Sequence, residues 1–137
     1  MREIKFRAWL GNQKRMVKCL CLLTMQKELM CFSDKGHEIE TIDYREGTDN
    51  IQLMQYTGLK DKNGIEIYEG DIVKVDYLPN RYVYKICYTM GGFKLKSKNC
   101  EQEYDYSIHV FLEENSMEVI GNIYENKELL NDTRLDY

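Results

Sequence analysis

The stretch "QYTGLKDKNGIEIYEGDIVKV", Gln55–Val75, carries glycine at 58, 64 and 70, with Asp61, Lys62, Asn63 and Glu69 between them. A phosphate-cradling loop needs Gly, four residues, then Gly-Lys-Ser/Thr. Here five residues separate Gly58 from Gly64, and Ile65 follows. An EF-hand loop needs glycine at its sixth position; counted from Asp61, Gly64 is the fourth. Both ligand-loop readings fail, and the glycines are left as turns. Asn63-Gly64 is a two-residue hairpin signal, because both residues tolerate φ > 0. It predicts a hairpin joining "YTGLKD" to "IEIYEG", with Gly70-Asp71 opening the strand "DIVKVDY". The functional remainder is a polar tip, Lys60–Gly64, open to a partner.

Outward from this hairpin the chain reads as short strands. Downstream come "DIVKVDY", "YVYKICYTM", a turn at Gly91-Gly92, "FKLKSK", "SIHVFL" and "MEVIGNIY". Five strands of that length and spacing suit a small, strongly bent barrel of SH3-like type. "ENKELL", Glu125–Leu130, reads as one or two helical turns with Asn126 as N-cap. Upstream, "IKFRAW" alternates Ile4, Phe6 and Ala8 with Lys5 and Arg7. "ELMCF" and "HEIETIDY" flank a turn at "SDKG", Ser33–Gly36, and a further turn falls at Glu46–Asn50. "LTMQKELMCF" also fits a helical stripe through Met25, Leu29 and Phe32. The reading is mainly β: an N-terminal β-meander plus a C-terminal SH3-like small barrel with a short C-terminal helix. It forms one domain, with an N-terminal lobe over 1–57, a connecting hairpin over 58–71 and the barrel lobe over 72–130.

The 137 residues are 43% hydrophobic and 31% charged, with 11 Tyr and a single Pro, which is ordinary globular composition. A formal net charge of −4 disfavours non-specific nucleic-acid binding, which runs on phosphate neutralisation. Residues 1–11 carry charge at Arg2, Glu3, Lys5 and Arg7 with no apolar run behind them, unlike a signal peptide. "CLCLL", Cys19–Leu23, is too short to cross a bilayer. A cytoplasmic location is expected, with the five cysteines kept as thiols.

Three segments together resemble the YopX family of small phage and prophage proteins: "MREIKFRAW" (Met1–Trp9), "LMQYTGLKDKNGIEIYEGDIVKV" (Leu53–Val75) and "VIGNIYENKELL" (Val119–Leu130). Their order and spacing match from end to end. The resemblance implies a phage-encoded, largely β protein without implying an activity. Two departures are visible. The family usually places Asp after the FRAW motif, where Leu10-Gly11 stands here, and often places Pro before "ELL", where Lys127 stands here.

Each remaining constellation has a plainer structural reading. Cys19, Cys21, Cys31 and His37 offer four zinc ligands, but their spacing matches no familiar zinc motif, and buried free thiols are common. No cofactor and no metal are expected. Lys94, Lys96 and Lys98 share one strand face, and Tyr82, Tyr84 and Tyr88 share a parity on the preceding strand. Lysines and tyrosines on adjacent strands can hold single-stranded nucleic acid. Glu101, Glu103 and Asp105 follow and could neutralise the lysines; with His109 they outline a metal-dependent nuclease, but on a loop without rigid support. With His37 and His109 the only histidines, acid–base options are few, and no enzyme is expected. Trp9 is read as a core anchor, with Arg7 and Trp9 as interface anchors if exposed.

The expected function is therefore a non-enzymatic accessory protein that binds a host or phage protein, with homo-oligomerisation through edge strands a further possibility and no membrane partner. The candidate binding surface is Arg7, Trp9, Tyr56, Lys60, Lys62 and Asn63. The alternative is a nucleic-acid face built from Tyr82, Tyr84, Lys94, Lys96 and Lys98.

Overall fold

The computed structural model describes residues 3–45, 50–77, 80–96, 106–108, 117–131 and 134–135. The chain divides into two compact units, Met1–Tyr56 and Thr57–Tyr137.

In the first unit β1 (Phe6–Leu10) lies between β2 (Arg15–Lys18) and the opening half of β6 (Ile51–Lys60), antiparallel to both. A separate meander runs β3 (Cys21–Leu23), β4 (Glu28–Phe32), β5 (Ile39–Asp43). The N-terminal strands thus form two sheets rather than one meander: β1 and β2 pair with each other and β1 with β6, apart from β3–β5. The helical alternative over Leu23–Phe32 gives way to two strands and a turn at 24–27, where Lys27 takes φ 58°. The Ser33–Gly36 turn forms as read: the Gly36 amide donates to the Ser33 carbonyl at 2.9 Å, with Gly36 at φ 75°. Ala8, Leu10, Val17, Leu29, Cys31 and Ile42 make the core of this unit. Trp9 is not among them. It leaves β1 on the opposite face from Ala8 and Leu10 and is half-buried, as period-two alternation requires. Ile4, read as sharing a strand face with Phe6 and Ala8, precedes β1 and is exposed. At the first departure from the family pattern, Leu10 is buried and Gly11 lies against Asn50, whose atoms a Cβ at 11 would meet at 2.6 Å.

In the second unit the end of β6 hydrogen-bonds with β7 (Glu66–Tyr68). An antiparallel sheet follows in the order β11 (Tyr106–Ser107), β10 (Gly92–Lys96), β9 (Asn80–Thr89), β8 (Asp71–Tyr77), β12 (Met117–Asn122), with β13 (Arg134–Leu135) also on β9. Both faces of this sheet carry apolar residues. Val73, Val75, Tyr84, Ile86, Leu95 and Met117 share one face and join Ile67 and Ile108 in the larger core. Ile72 and Val83, on the other face, pack under Leu130 of a 3₁₀ turn, η1 (Lys127–Asn131). A bulge between Val119 and Gly121 serves both: Val119 packs on the larger core and Ile120 on the smaller. η1 forms without the proline its family favours at 127.

The hairpin at Asn63-Gly64 forms by a different turn from the one its sequence suggests. Only Gly64 has positive φ, 80°, and Asn63 does not. The Gly64 amide donates to the Asp61 carbonyl at 3.0 Å, and the Asp61 amide to the Ile65 carbonyl at 2.8 Å. That is a three-residue loop with glycine in the left-handed position, not a two-residue type I′ turn. The cause is Asp61, whose side chain holds the loop open, as described next.

Candidate functional site

Among the described residues, three buried side chains are polar: Thr57, Asp61 and Asp71. All lie in the Gln55–Val75 stretch, and all bind backbone. Thr57 donates its hydroxyl to the Ile67 carbonyl at 2.7 Å and accepts from the Leu59 amide at 3.2 Å. One Asp61 carboxylate oxygen accepts from the Asn63 and Ile65 amides at 2.8 and 2.9 Å; the other accepts from Val119 at 2.9 Å. Asp71 accepts from the Tyr68 amide at 2.8 Å. Gly70, at φ 81°, ties two strands, donating to Ile86 and accepting from Ile123 at 2.8 Å each. Buried polar groups persist when paired, and these are spent on turns. The stretch is a scaffold whose buried polar side chains hold its own backbone.

Its outward side is open: Lys60, Lys62 and Asn63 are exposed. Lys62 reaches Glu118 at 3.4 Å, and Glu118 meets Lys74 at 3.0 Å. The Lys74 and Lys62 ammonium groups hold the Glu118 carboxyl below its usual range. In the first unit Tyr56 is buried, with the Lys5 ammonium 5.0 Å from its ring centre. Arg7 and Trp9 share a half-buried face of β1.

The lysines and tyrosines of the alternative surface do not share a face. The register pairs Lys94 with Cys87 and Lys96 with Lys85, whereas Leu95 pairs with Ile86 and Phe93 with Tyr88. Tyr82 and Tyr84 therefore turn toward the larger core, and Tyr84 is buried there. Lys94 and Lys96 leave the sheet on its other side. Lys98, Glu101, Glu103, Asp105 and His109 lie outside the described residues.

Cys31 is fully buried, its thiol 3.8 Å from Glu40, and Glu40 is ion-paired with Arg15. Burial, then the Glu40 charge, raises the Cys31 pKa. Burial, with Cys31 nearby, pushes Cys19 up to about 11. Both thiols are protonated at neutral pH and poor nucleophiles. Cys21 leaves β3 toward solvent. No group of three or more His, Cys, Asp or Glu among the described residues is placed to hold a metal.

One surface escaped the sequence reading. On the outer face of β3–β4–β5, Phe32 and Ile39 are register partners, 50% and 56% exposed. The signal was present in "ELMCF". Leu29 and Cys31 fill the inner face, so Met30 and Phe32 of opposite parity make the outer face apolar too.

Fold and site define a mainly β protein whose buried polar residues hold its own turns and strands. The chain belongs to the YopX family: the family model described as "YopX protein" matches residues 5–131. It is similar to a solved structure, "Crystal structure of protein EF1440 from Enterococcus faecalis", at 28% identity and a TM-score of 0.63, over 95% of this chain and 99% of that one. No curated protein matches. Among the described residues no helix is long and apolar enough to cross a membrane.

Proposed function

We propose that this chain is a non-enzymatic accessory protein of a phage or prophage that acts in the host cytoplasm by binding a protein, and that the outer face of β3–β4–β5 is the contact. The observation that carries this reading is the exposed Phe32–Ile39 pair. Apolar residues clustered on a polar surface are where partner contact gains most. β5 is an edge strand of its sheet, and its sequence "IETID" lacks the proline and lysine that guard edges. A partner strand can add there while its side chains meet Phe32 and Ile39. The second unit supports an SH3-like reading: consecutive strands β8–β11 pair in turn, and β12 returns beside β8.

The test is a tagged pull-down from infected host lysate, with and without nuclease, comparing wild type with Phe32→Ser/Ile39→Ser. A protein that survives nuclease and is lost with the double variant is the expected result. Identical capture by both chains would sink this surface, and capture abolished by nuclease would replace the reading with nucleic-acid binding.

A further inference from the structure

The charge of this acidic chain is unevenly placed. From Tyr77 to Cys100 the sequence holds Arg81, Lys85, Lys94, Lys96 and Lys98 and no Asp or Glu. This is the β9–β10 hairpin. Arg81 is engaged by Asp76 at 3.0 Å. Lys85 and Lys94 make no ion pair among the described residues, and they leave the same side of the sheet as Cys87.

The far end of this hairpin is unusual in two ways. Pairing of β9 with β8 ends at Lys85, and β11 reaches β10 only at Lys94 and Leu95, so from Cys87 to Phe93 the described pairing is two strands wide. Its tip is apolar: Tyr88 is 54% exposed and Met90 89% exposed. Tyr88 stands edge-on to Phe93, ring centres 5.2 Å apart, which braces one side of the ring and leaves the rest to solvent. Met90 opens the turn at φ 50° with Gly91 at 79°. Asn or Gly suits that place better, and the Met90 side chain buries almost nothing in return.

We propose that the β9–β10 ribbon binds single-stranded nucleic acid, with Lys85 and Lys94 on phosphates and Tyr88 stacked on a base. A basic ribbon with a braced, exposed aromatic ring meets both needs of an unpaired strand, charge along its backbone and a flat surface for its bases. Among the described residues the pairing is two strands wide from Cys87 to Phe93, so a nucleic-acid strand bending round the tip reaches the lysine face and the tyrosine face in turn. An acidic protein segment is the weaker match. Carboxylates are best held by the arginine fork, and the arginine of this hairpin is already paired. This surface lies in the second unit and is independent of the Phe32–Ile39 contact.

The test is fluorescence anisotropy of a short labelled mixed-sequence single-stranded DNA titrated with the full chain at several salt concentrations. Binding at low salt that weakens steeply with salt is expected. Lys85→Gln/Lys94→Gln should flatten the log–log salt slope by about 1.4, since each lost phosphate contact removes ~0.7. Tyr88→Leu should weaken binding roughly tenfold and Tyr88→Phe hardly at all, because the ring does the stacking. Lys14→Gln/Lys35→Gln, on first-unit turns, should change nothing. Circular dichroism checks that each variant is folded, and Lys94→Gln alone serves if the double variant is not. Absence of binding at low salt overturns the proposal, as does an unchanged slope in the lysine variants. Tighter binding of polyglutamate overturns it in favour of an acidic protein partner, and tighter binding of a duplex overturns the single-strand assignment.

Discussion

The Asp61 carboxylate accepts the amide of Val119 at 2.9 Å, across 58 residues of chain. This bond joins the hairpin after β6 to β12, and the Lys62 amide reinforces it by donating to the Met117 carbonyl at 3.0 Å. Met117 is buried in the larger core. The acidic residue that looks most like a ligand group in the sequence therefore closes the sheet.

Asp61→Ala removes an acceptor from three amides, those of Asn63, Ile65 and Val119, all in partly buried bonds. Unsatisfied groups of this kind cost about 1–3 kcal/mol each, so a loss of about 3 kcal/mol is expected in urea unfolding at pH 7. Asp61→Asn should cost less, since one oxygen survives for the Asn63–Ile65 pair. A loss below about 1 kcal/mol for Asp61→Ala would show that β12 docks without it.

Thr57→Val keeps the shape of a buried side chain and removes its hydroxyl. The Ile67 carbonyl and Leu59 amide then lose a partner, and about 1–2 kcal/mol should go. Thr57→Ser, which keeps the hydroxyl, should retain most of that difference. A Thr57→Val chain as stable as wild type would show that these two bonds contribute nothing net.

Much of this architecture was legible because turn chemistry is local. Gly36, Gly64 and Gly70 take positive φ at turns, as glycine there predicts, whereas Gly58, also read as a turn, takes φ 85° inside β6; the alternation of "FKLKSK" sets Leu95 opposite Lys94 and Lys96. What failed was non-local. Tyr82, Tyr84, Lys94 and Lys96 sit on adjacent strands with sound alternation in each, but only the register Leu95–Ile86 shows that they face apart, because a shift of one residue flips a whole face. The two-residue turn at Asn63-Gly64 failed for the same reason: Asp61 answers to Val119, far along the chain.

Gly121 faces Asn126, and a Cβ there would lie 2.6 Å from its Oδ1. Asn126 cannot swing away cheaply. Its Oδ1 accepts from the Asn122 amide at 3.2 Å, and its own amide donates to the Asn122 carbonyl at 2.9 Å. Its place before η1 is that of an N-cap, but the side chain turns back to Asn122. Gly121→Ala should therefore cost about 1–3 kcal/mol, as overpacking does, and Gly121→Ala with Asn126→Gly should recover part of it. Additive losses in that cycle would exclude the clash as the cause.

Glu118 gives a pH-dependent prediction. Its folded pKa is depressed by Lys74 and Lys62 below the ordinary 4.5. The unfolded chain then binds the proton more readily, so the contribution is full above about pH 5 and fades as pH falls through the folded value. The group is partly exposed, and solvent screening limits the effect to about 1 kcal/mol or less. Wild type should exceed Glu118→Gln in thermal stability at pH 7, and the two should converge by about pH 3. A gap that persists at pH 3 would mean the Gln variant loses packing, not charge.

Met90 supplies the test that separates fold from function at the hairpin tip. A left-handed conformation costs an ordinary L-residue roughly 1–2 kcal/mol, and asparagine, which can bond locally to its backbone, bears less of it. Met90 repays little by burial, being 89% exposed. Met90→Asn should therefore raise the unfolding free energy by about 0.5–1 kcal/mol and leave the circular dichroism unchanged. A destabilised Met90→Asn chain would mean that the methionine packs against this protein after all. A stabilised chain would leave a methionine whose cost the fold does not explain, on the tip where an incoming strand would first meet it.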